Sequence, residues 1–194
     1  MSLGVVILIC MILLSVADAL PALESYFSIK RGYLIYLSFC ILVLSLFKIG
    51  KEPEFHLNPG SVILVMVLSA AAINAGEKRR LLCLASTLIC ASMVCLPEFI
   101  NLPGEAGVLW GAMMSFASLI LLKDHLFSAL LSVAIAPLLG EAALSGVEYL
   151  TQGFAEVSLG VGAAFDAQIF GLTLTLLISA LARYRLTAAA RRSA

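Results

Sequence analysis

Seven apolar runs, at Leu3 to Leu20, Gly32 to Phe47, Ser61 to Ala75, Leu81 to Leu96, Ala106 to Leu122, Leu126 to Leu139 and Val161 to Ala182, fill most of this chain. Only short polar or Pro/Gly-marked connections separate them, and that spacing leaves few solutions. A helix crossing a hydrocarbon core of roughly 30 Å needs about 20 mainly apolar residues. Inside lipid the backbone must satisfy its own hydrogen bonds, which selects helices over open sheets. The 194 residues hold about seven such segments and leave no room for a separate soluble domain. Charged residues make up only 12% of the chain and hydrophobic ones 62%, whereas a soluble domain carries about a quarter charged. The expectation is an all-α, polytopic integral membrane helical bundle: a single transmembrane domain over residues 1–194, with about seven membrane segments plus one amphipathic or re-entrant helix. Several runs are only about 14 to 17 residues long, so interface residues must complete them or some segments enter only partway.

Charge sets the orientation. Numbering the connections alternately puts Lys30, Arg31, Lys78, Arg79, Arg80, Lys123, Arg183, Arg185, Arg191 and Arg192 on one side, ten of the 12 basic residues. Lys48 and Lys51 fall on the other. Positive residues stay cytoplasmic, so the N-terminus is expected outside and the C-terminus inside, in a cell (cytoplasmic) membrane of bacterial type. Ala17-Asp18-Ala19 also fits a signal-peptide cleavage site. The preceding stretch lacks Lys and Arg, however, and cleavage would place the ten basic residues outside, so Leu3 to Leu20 reads as a retained span. Acidic residues contribute little to topology, and the clustering of Glu52, Glu54, Glu98, Glu105, Glu141, Glu148, Glu156 and Asp166 near the outer face is therefore a functional clue.

The segment richest in chemistry is 141–161. Glu141, Ser145, Glu148, Gln152 and Glu156 recur at three- and four-residue steps, and Ala143, Val147, Leu150, Phe154, Val157 and Val161 fall opposite them, the pattern of an amphipathic helix with an acidic stripe. Were it a further span, the basic residues would divide six against six, so it is expected at the outer surface or re-entrant. Pro137 is expected to kink or end the run before it. Gly146, Gly153 and Gly160 repeat every seven residues and mark a candidate helix-packing edge. Glu141, Glu148, Glu156, Asp166 and Gln168 are the candidate solute or cation contacts, because ionisable groups at membrane depth are costly and often functional.

Enzymatic constellations are weak. Cys10, Cys40, Cys83, Cys90 and Cys95 form no C-x-x-C pair, and His56 and His125 lie in different loops, so neither a metal site nor thiol exchange is expected. No phosphate loop, dinucleotide fingerprint or Gly-x-Ser-x-Gly elbow occurs, so no cofactor and no catalytic residue is assigned. A net charge of zero speaks against nucleic acid as a partner. Two functions follow as expectations. One is a transporter, or membrane subunit of a transport complex, for a cationic or polar solute. The other is a non-catalytic scaffold or assembly factor that packs, beyond the lipid bilayer itself, against another membrane protein or a second copy of itself.

Overall fold

Local chemistry places the helix boundaries where capping residues allow them. In the computed structural model, which describes residues 2–17, 31–50, 55–77, 80–100, 106–123 and 125–192, seven helices and two short strands follow in the order α1 (Leu3–Val16), α2 (Arg31–Ser45), β1 (Phe55–Leu57), α3 (Pro59–Asn74), α4 (Arg80–Ile100), α5 (Ala106–Leu121), α6 (Leu126–Gln152), β2 (Val157–Leu159) and α7 (Ala163–Arg192). Side chains at 31, 34, 96–100, 106 and 183–192 lie outside that description, as do residue Asp18 and, of the charge pattern, residues Lys30, Lys51, Glu52, Glu54, Lys78, Arg79 and Glu105. Ser2 starts α1 by accepting the Val5 N–H. Asn58 starts α3: its Oδ1 accepts the Gly60 and Ser61 N–H groups, with Pro59 in the first turn where a missing donor costs nothing. Gly153 ends α6 in the left-handed conformation at φ 76°, which disfavours a residue bearing a Cβ.

The helices form an up-and-down bundle, as four sets of contacts establish. Residues near the start of α1, α5 and α7 meet, since Asp166 reaches Gly4 and the Gly107 backbone lies against Ala163. Helices α4 and α6 run parallel: Cys83 bonds the Ser128 carbonyl, Ser86 meets Ser132, and Cys95 bonds the Gly140 carbonyl. Helix α7 runs antiparallel to α6, with Gln168 at Ala134 and Gly171 at Val133. Helix α3 also opposes α6, from Ser61 beside Gly160 to Glu77 beside Ser128. Strands β1 and β2 pair in parallel, Phe55 with Val157 through Leu57 with Leu159, at the end where α3 and α7 begin. We call this the β end.

Helices α5 and α7 approach each other closely. A Cβ on Gly111 would stand 2.8 Å from the Ala167 carbonyl oxygen, and one on Gly107 2.7 Å from that of Ala163. Ser115 Oγ then donates to the carbonyls of Gly111 and Gly171, both at 2.7 Å. Small residues at four-residue steps on both helices, Gly107, Gly111 and Ser115 against Ala163, Ala167 and Gly171, let the backbones meet.

The interior is apolar with small polar residues set into it. Ser61, Ser86, Ser115, Ser118, Ser132, Gln168 and Thr175 are buried, while Leu81, Ile73, Ile120 and Leu150 are among the most exposed side chains. Two helices, Leu126–Gln152 and Ala163–Ala182, are long and apolar enough to cross a bilayer, and the other apolar helices are shorter.

Two expectations are corrected. The amphipathic segment 141–161 is not a separate helix: its first twelve residues continue α6 through Pro137, and after Gly153 the chain turns into β2. The helix survives the proline because a neighbour serves the disturbed turn. Pro137 cannot donate to the Val133 carbonyl, and one residue on, the Ala134 carbonyl accepts a hydrogen bond from Gln168 Nε2. The small β1–β2 pair is likewise an addition to the all-helical pattern. Three-residue strands lack the length for a period-two signal to stand out beside long apolar runs.

Candidate functional site

The residues singled out by sequence divide among different places. Glu141 sits on α6 where its Oε2 accepts the Gly160 N–H at 2.6 Å, fastening the helix to the turn between β2 and α7. Nearby, Ser145 Oγ donates to the Glu156 carbonyl at 3.2 Å. The Glu156 carboxylate lies 3.6 Å from His56 Nε2 across the strand pair and is 61% exposed. Glu141, Glu156, His56 and Ser145 thus gather at the β end around one turn.

Glu148 stands apart, exposed on the last turns of α6. Asp166 is on a different side of the bundle, where its Oδ1 accepts the Gly4 N–H at 2.7 Å. A carboxylate there satisfies a donor that the first turn of α1 cannot pair internally, and its charge suits the positive end of that helix. Gln168 is fully buried. It accepts from Ser61 Oγ and donates to the Ala134 carbonyl, joining α3, α6 and α7. Carboxylates that hold backbone N–H groups in place are fasteners of the fold, and neither cavity described below is lined by Glu141, Glu148, Glu156, Asp166 or Gln168.

The packing glycines also separate by role. Gly153 and Gly160 have positive φ, 76° and 66°, which accounts for glycine at both turns. Gly160 further needs its hydrogen side chain because a Cβ would stand 2.3 Å from Ser61 Oγ. Around Gly146 and Gly153 nothing lies within 4 Å of an added Cβ.

Two voids flank α3. One, of about 190 Å³, is almost wholly apolar and lies among Ile7, Leu37, Leu64, Leu68, Leu130 and Leu172. The larger, about 740 Å³, is a groove between α3, α4 and α6. Its polar residues are Ser69, Glu77, Arg80, Cys83, Thr87 and Ser128; its apolar wall includes Leu131, Ile135 and Leu139. Glu77 stands at the groove mouth and does what the capping position of α6 fails to do. His125 makes no side-chain capping bond, and instead Glu77 accepts from the N–H groups of Phe127 at 3.2 Å and Ser128 at 2.7 Å and from Ser128 Oγ. Opposite charges meet there, a carboxylate on the positive end of a 27-residue helix.

Sequence reading missed this groove. Glu77 was not singled out and Arg80 counted only among the basic residues of the expected cytoplasmic side, because nothing local signals that residue 77 returns to cap a helix about fifty positions later. Among the described residues, no three His, Cys, Asp or Glu side chains come together in a way that would hold a metal ion. No protein-family model, curated protein or solved structure matches the chain.

Proposed function

We propose that this chain is a multi-pass membrane protein of the cell membrane and serves as a transport protein, or as the membrane subunit of a transport complex, with its ligand site in the groove between α3, α4 and α6. The many exposed large apolar side chains, together with buried serines and threonines, support membrane placement. In lipid, large apolar side chains face outward without penalty, while small and hydrogen-bonding residues hold helices together. The up-and-down alternation also carries Arg80 and Lys123 to one end and Lys48 to the β end, in keeping with an external β end and a cytoplasmic opposite end. Among the described residues the other five apolar helices are shorter, and on this reading interface residues at their ends complete the crossing.

The observation that carries the transport reading is the groove itself: a 740 Å³ space whose mouth holds a carboxylate, a guanidinium and hydroxyls beside an apolar wall. Concave sites lined largely by apolar groups, with a few convergent polar ones, are where ligands bind. This moves the proposed contact away from Glu141 and Asp166, whose oxygens already hold backbone donors. In a cysteine-free background, a cysteine at exposed Gln152 is expected to react with a membrane-impermeant thiol reagent in intact cells. One at exposed Lys123 should react only after permeabilisation. The reverse pattern would invert the orientation, and labelling of both in intact cells would remove the membrane placement. For the groove, a protein retaining only Cys83 should be labelled by a lipid-soluble maleimide, and a ligand that is transported should slow that labelling severalfold.

A scaffold role is favoured by a separate observation. Every residue from Gly146 to Phe154, the last turns of α6 and the start of the chain beyond it, is exposed, including Val147, Tyr149, Leu150 at 84% and Phe154. Gly146 has open space in front of it. If this tip packs on another membrane protein or a second copy, Gly146→Leu should dissociate the complex on gel filtration while leaving the melting temperature of the isolated chain unchanged. An unchanged complex rules the tip out as the contact.

A further inference from the structure

Polar groups in the groove are not equally available. Ser69 Oγ donates to the Val65 carbonyl at 2.8 Å, Thr87 Oγ1 to the Cys83 carbonyl at 2.9 Å, and Ser128 Oγ to Glu77. The Glu77 carboxylate accepts three bonds from the start of α6. Arg80 differs: it lines the groove, is exposed, and has no ion-pair partner among the described residues. With the Glu77 carboxylate turned to the positive start of α6, Arg80 carries the charge left unmatched in the groove. From Ser128 the wall continues along α6 through Leu131 and Ile135 to Leu139, a run of about 16 Å at 1.5 Å per residue.

We propose that this groove binds an anionic phospholipid, its phosphate on Arg80 and an acyl chain along Leu131, Ile135 and Leu139. This rests on the reading of the groove as the ligand site and names the ligand's class. The planar guanidinium offers paired donors that match phosphate oxygens. A free anion would leave the apolar wall without a use, and a zwitterionic lipid would bring its own cation up against Arg80. A basic pocket between helices on the cytoplasmic side is a setting in which acidic headgroups bind.

The test uses the full chain in nanodiscs holding equal amounts of phosphatidylglycerol and phosphatidylcholine, released into mild detergent, with retained lipid read by native mass spectrometry. Wild-type protein should keep one phosphatidylglycerol in at least fivefold preference over phosphatidylcholine. Arg80→Gln should abolish that preference, and Lys123→Gln, a basic residue outside the groove, should preserve it. Ile135→Trp, which fills the groove, should lower total retained lipid at least fivefold; Ile135→Phe serves if the larger variant fails to melt cooperatively. Equal retention of both lipids by the wild type, lost in the Ile135 variants, overturns the anionic class but keeps the groove as a ligand site. Retained lipid that is indifferent to the Ile135 variants overturns both. Loss of preference in Lys123→Gln equal to that in Arg80→Gln shows a diffuse charge effect and overturns the assignment to Arg80.

Discussion

Replacing Gly111 by alanine is expected to lower the stability of the detergent-purified protein by about 1–3 kcal/mol, the range for overpacking a close contact. The added methyl would meet the Ala167 carbonyl oxygen at 2.8 Å, the Gly171 nitrogen at 3.0 Å and the Phe170 ring at 3.0 Å. Two of these are backbone atoms and cannot swing aside, so α5 and α7 must separate. Separation also stretches the two bonds from Ser115 to the Gly111 and Gly171 carbonyls. Alanine's higher helix propensity offsets at most about 1 kcal/mol of this. Gly111→Leu should leave little monodisperse protein. The internal comparison is Gly146→Ala, where nothing lies within 4 Å of the new methyl and the propensity gain acts alone. Melting temperature measured for the three variants separates the cases: equal behaviour of Gly111→Ala and Gly146→Ala would refute tight α5–α7 packing.

Removing the carboxylate at position 77 should have the second large effect. Glu77→Ala strips the partners from two backbone N–H groups and one hydroxyl at the start of α6. Hydrogen bonds to a charged group contribute about 1.5–3 kcal/mol each at most. Because Glu77 is partly solvent-accessible and water can replace some of its bonds, the summed loss is expected near 2–3 kcal/mol rather than the full total. Glu77→Gln keeps one acceptor oxygen and loses the favourable charge on the helix end, so about half that loss is expected. Amide hydrogen exchange should show faster protection loss at Ser128 and Ala129 than at Leu172 in both variants. Uniform change along the chain would mean that Glu77 does not act as the cap of α6.

How much of this was legible beforehand follows from the range of each interaction. The apolar runs are local and long, and the chain is mostly helical along them, but only two of the helices are long and apolar enough to cross a bilayer; the alternation of direction follows because short connections between helices force antiparallel neighbours. What the sequence misjudged lies at the junctions. A helix-period pattern from Glu141 to Val161 looked continuous, but Gly153 stops it with a left-handed turn, and Val157 to Leu159 pairs instead with Phe55 to Leu57 about a hundred positions earlier. Pairing at that distance leaves no local trace. Asp166 and Glu141 stood out because charge is rare in such a chain, and the structure gives that rarity a bland cause in both: each holds a backbone N–H that has no helical partner. The α5–α7 contact was readable in principle from Gly107, Gly111 and Ser115 facing Ala163, Ala167 and Gly171, a four-residue rhythm. Attention to the seven-residue spacing of Gly146, Gly153 and Gly160 obscured it. The groove lies beyond any one-dimensional reading, since its walls come from three helices.

The bond from Gly4 to Asp166 joins positions 162 residues apart, and α7 also lies against α5 and α6. A growing chain makes its first helix long before the residue that caps it exists. The cap of α1 and the α5–α7 contact must therefore wait until α7 is made, although α3 and α4 can already latch to α6, and β1 waits likewise for β2. Closure of this bundle is thus timed by the synthesis of α7. A nascent chain stalled before Ala163 would leave the Gly107 and Gly111 edge open to any other helix, which makes the interval between α6 and α7 the moment at which a chaperone or protease has the most to recognise.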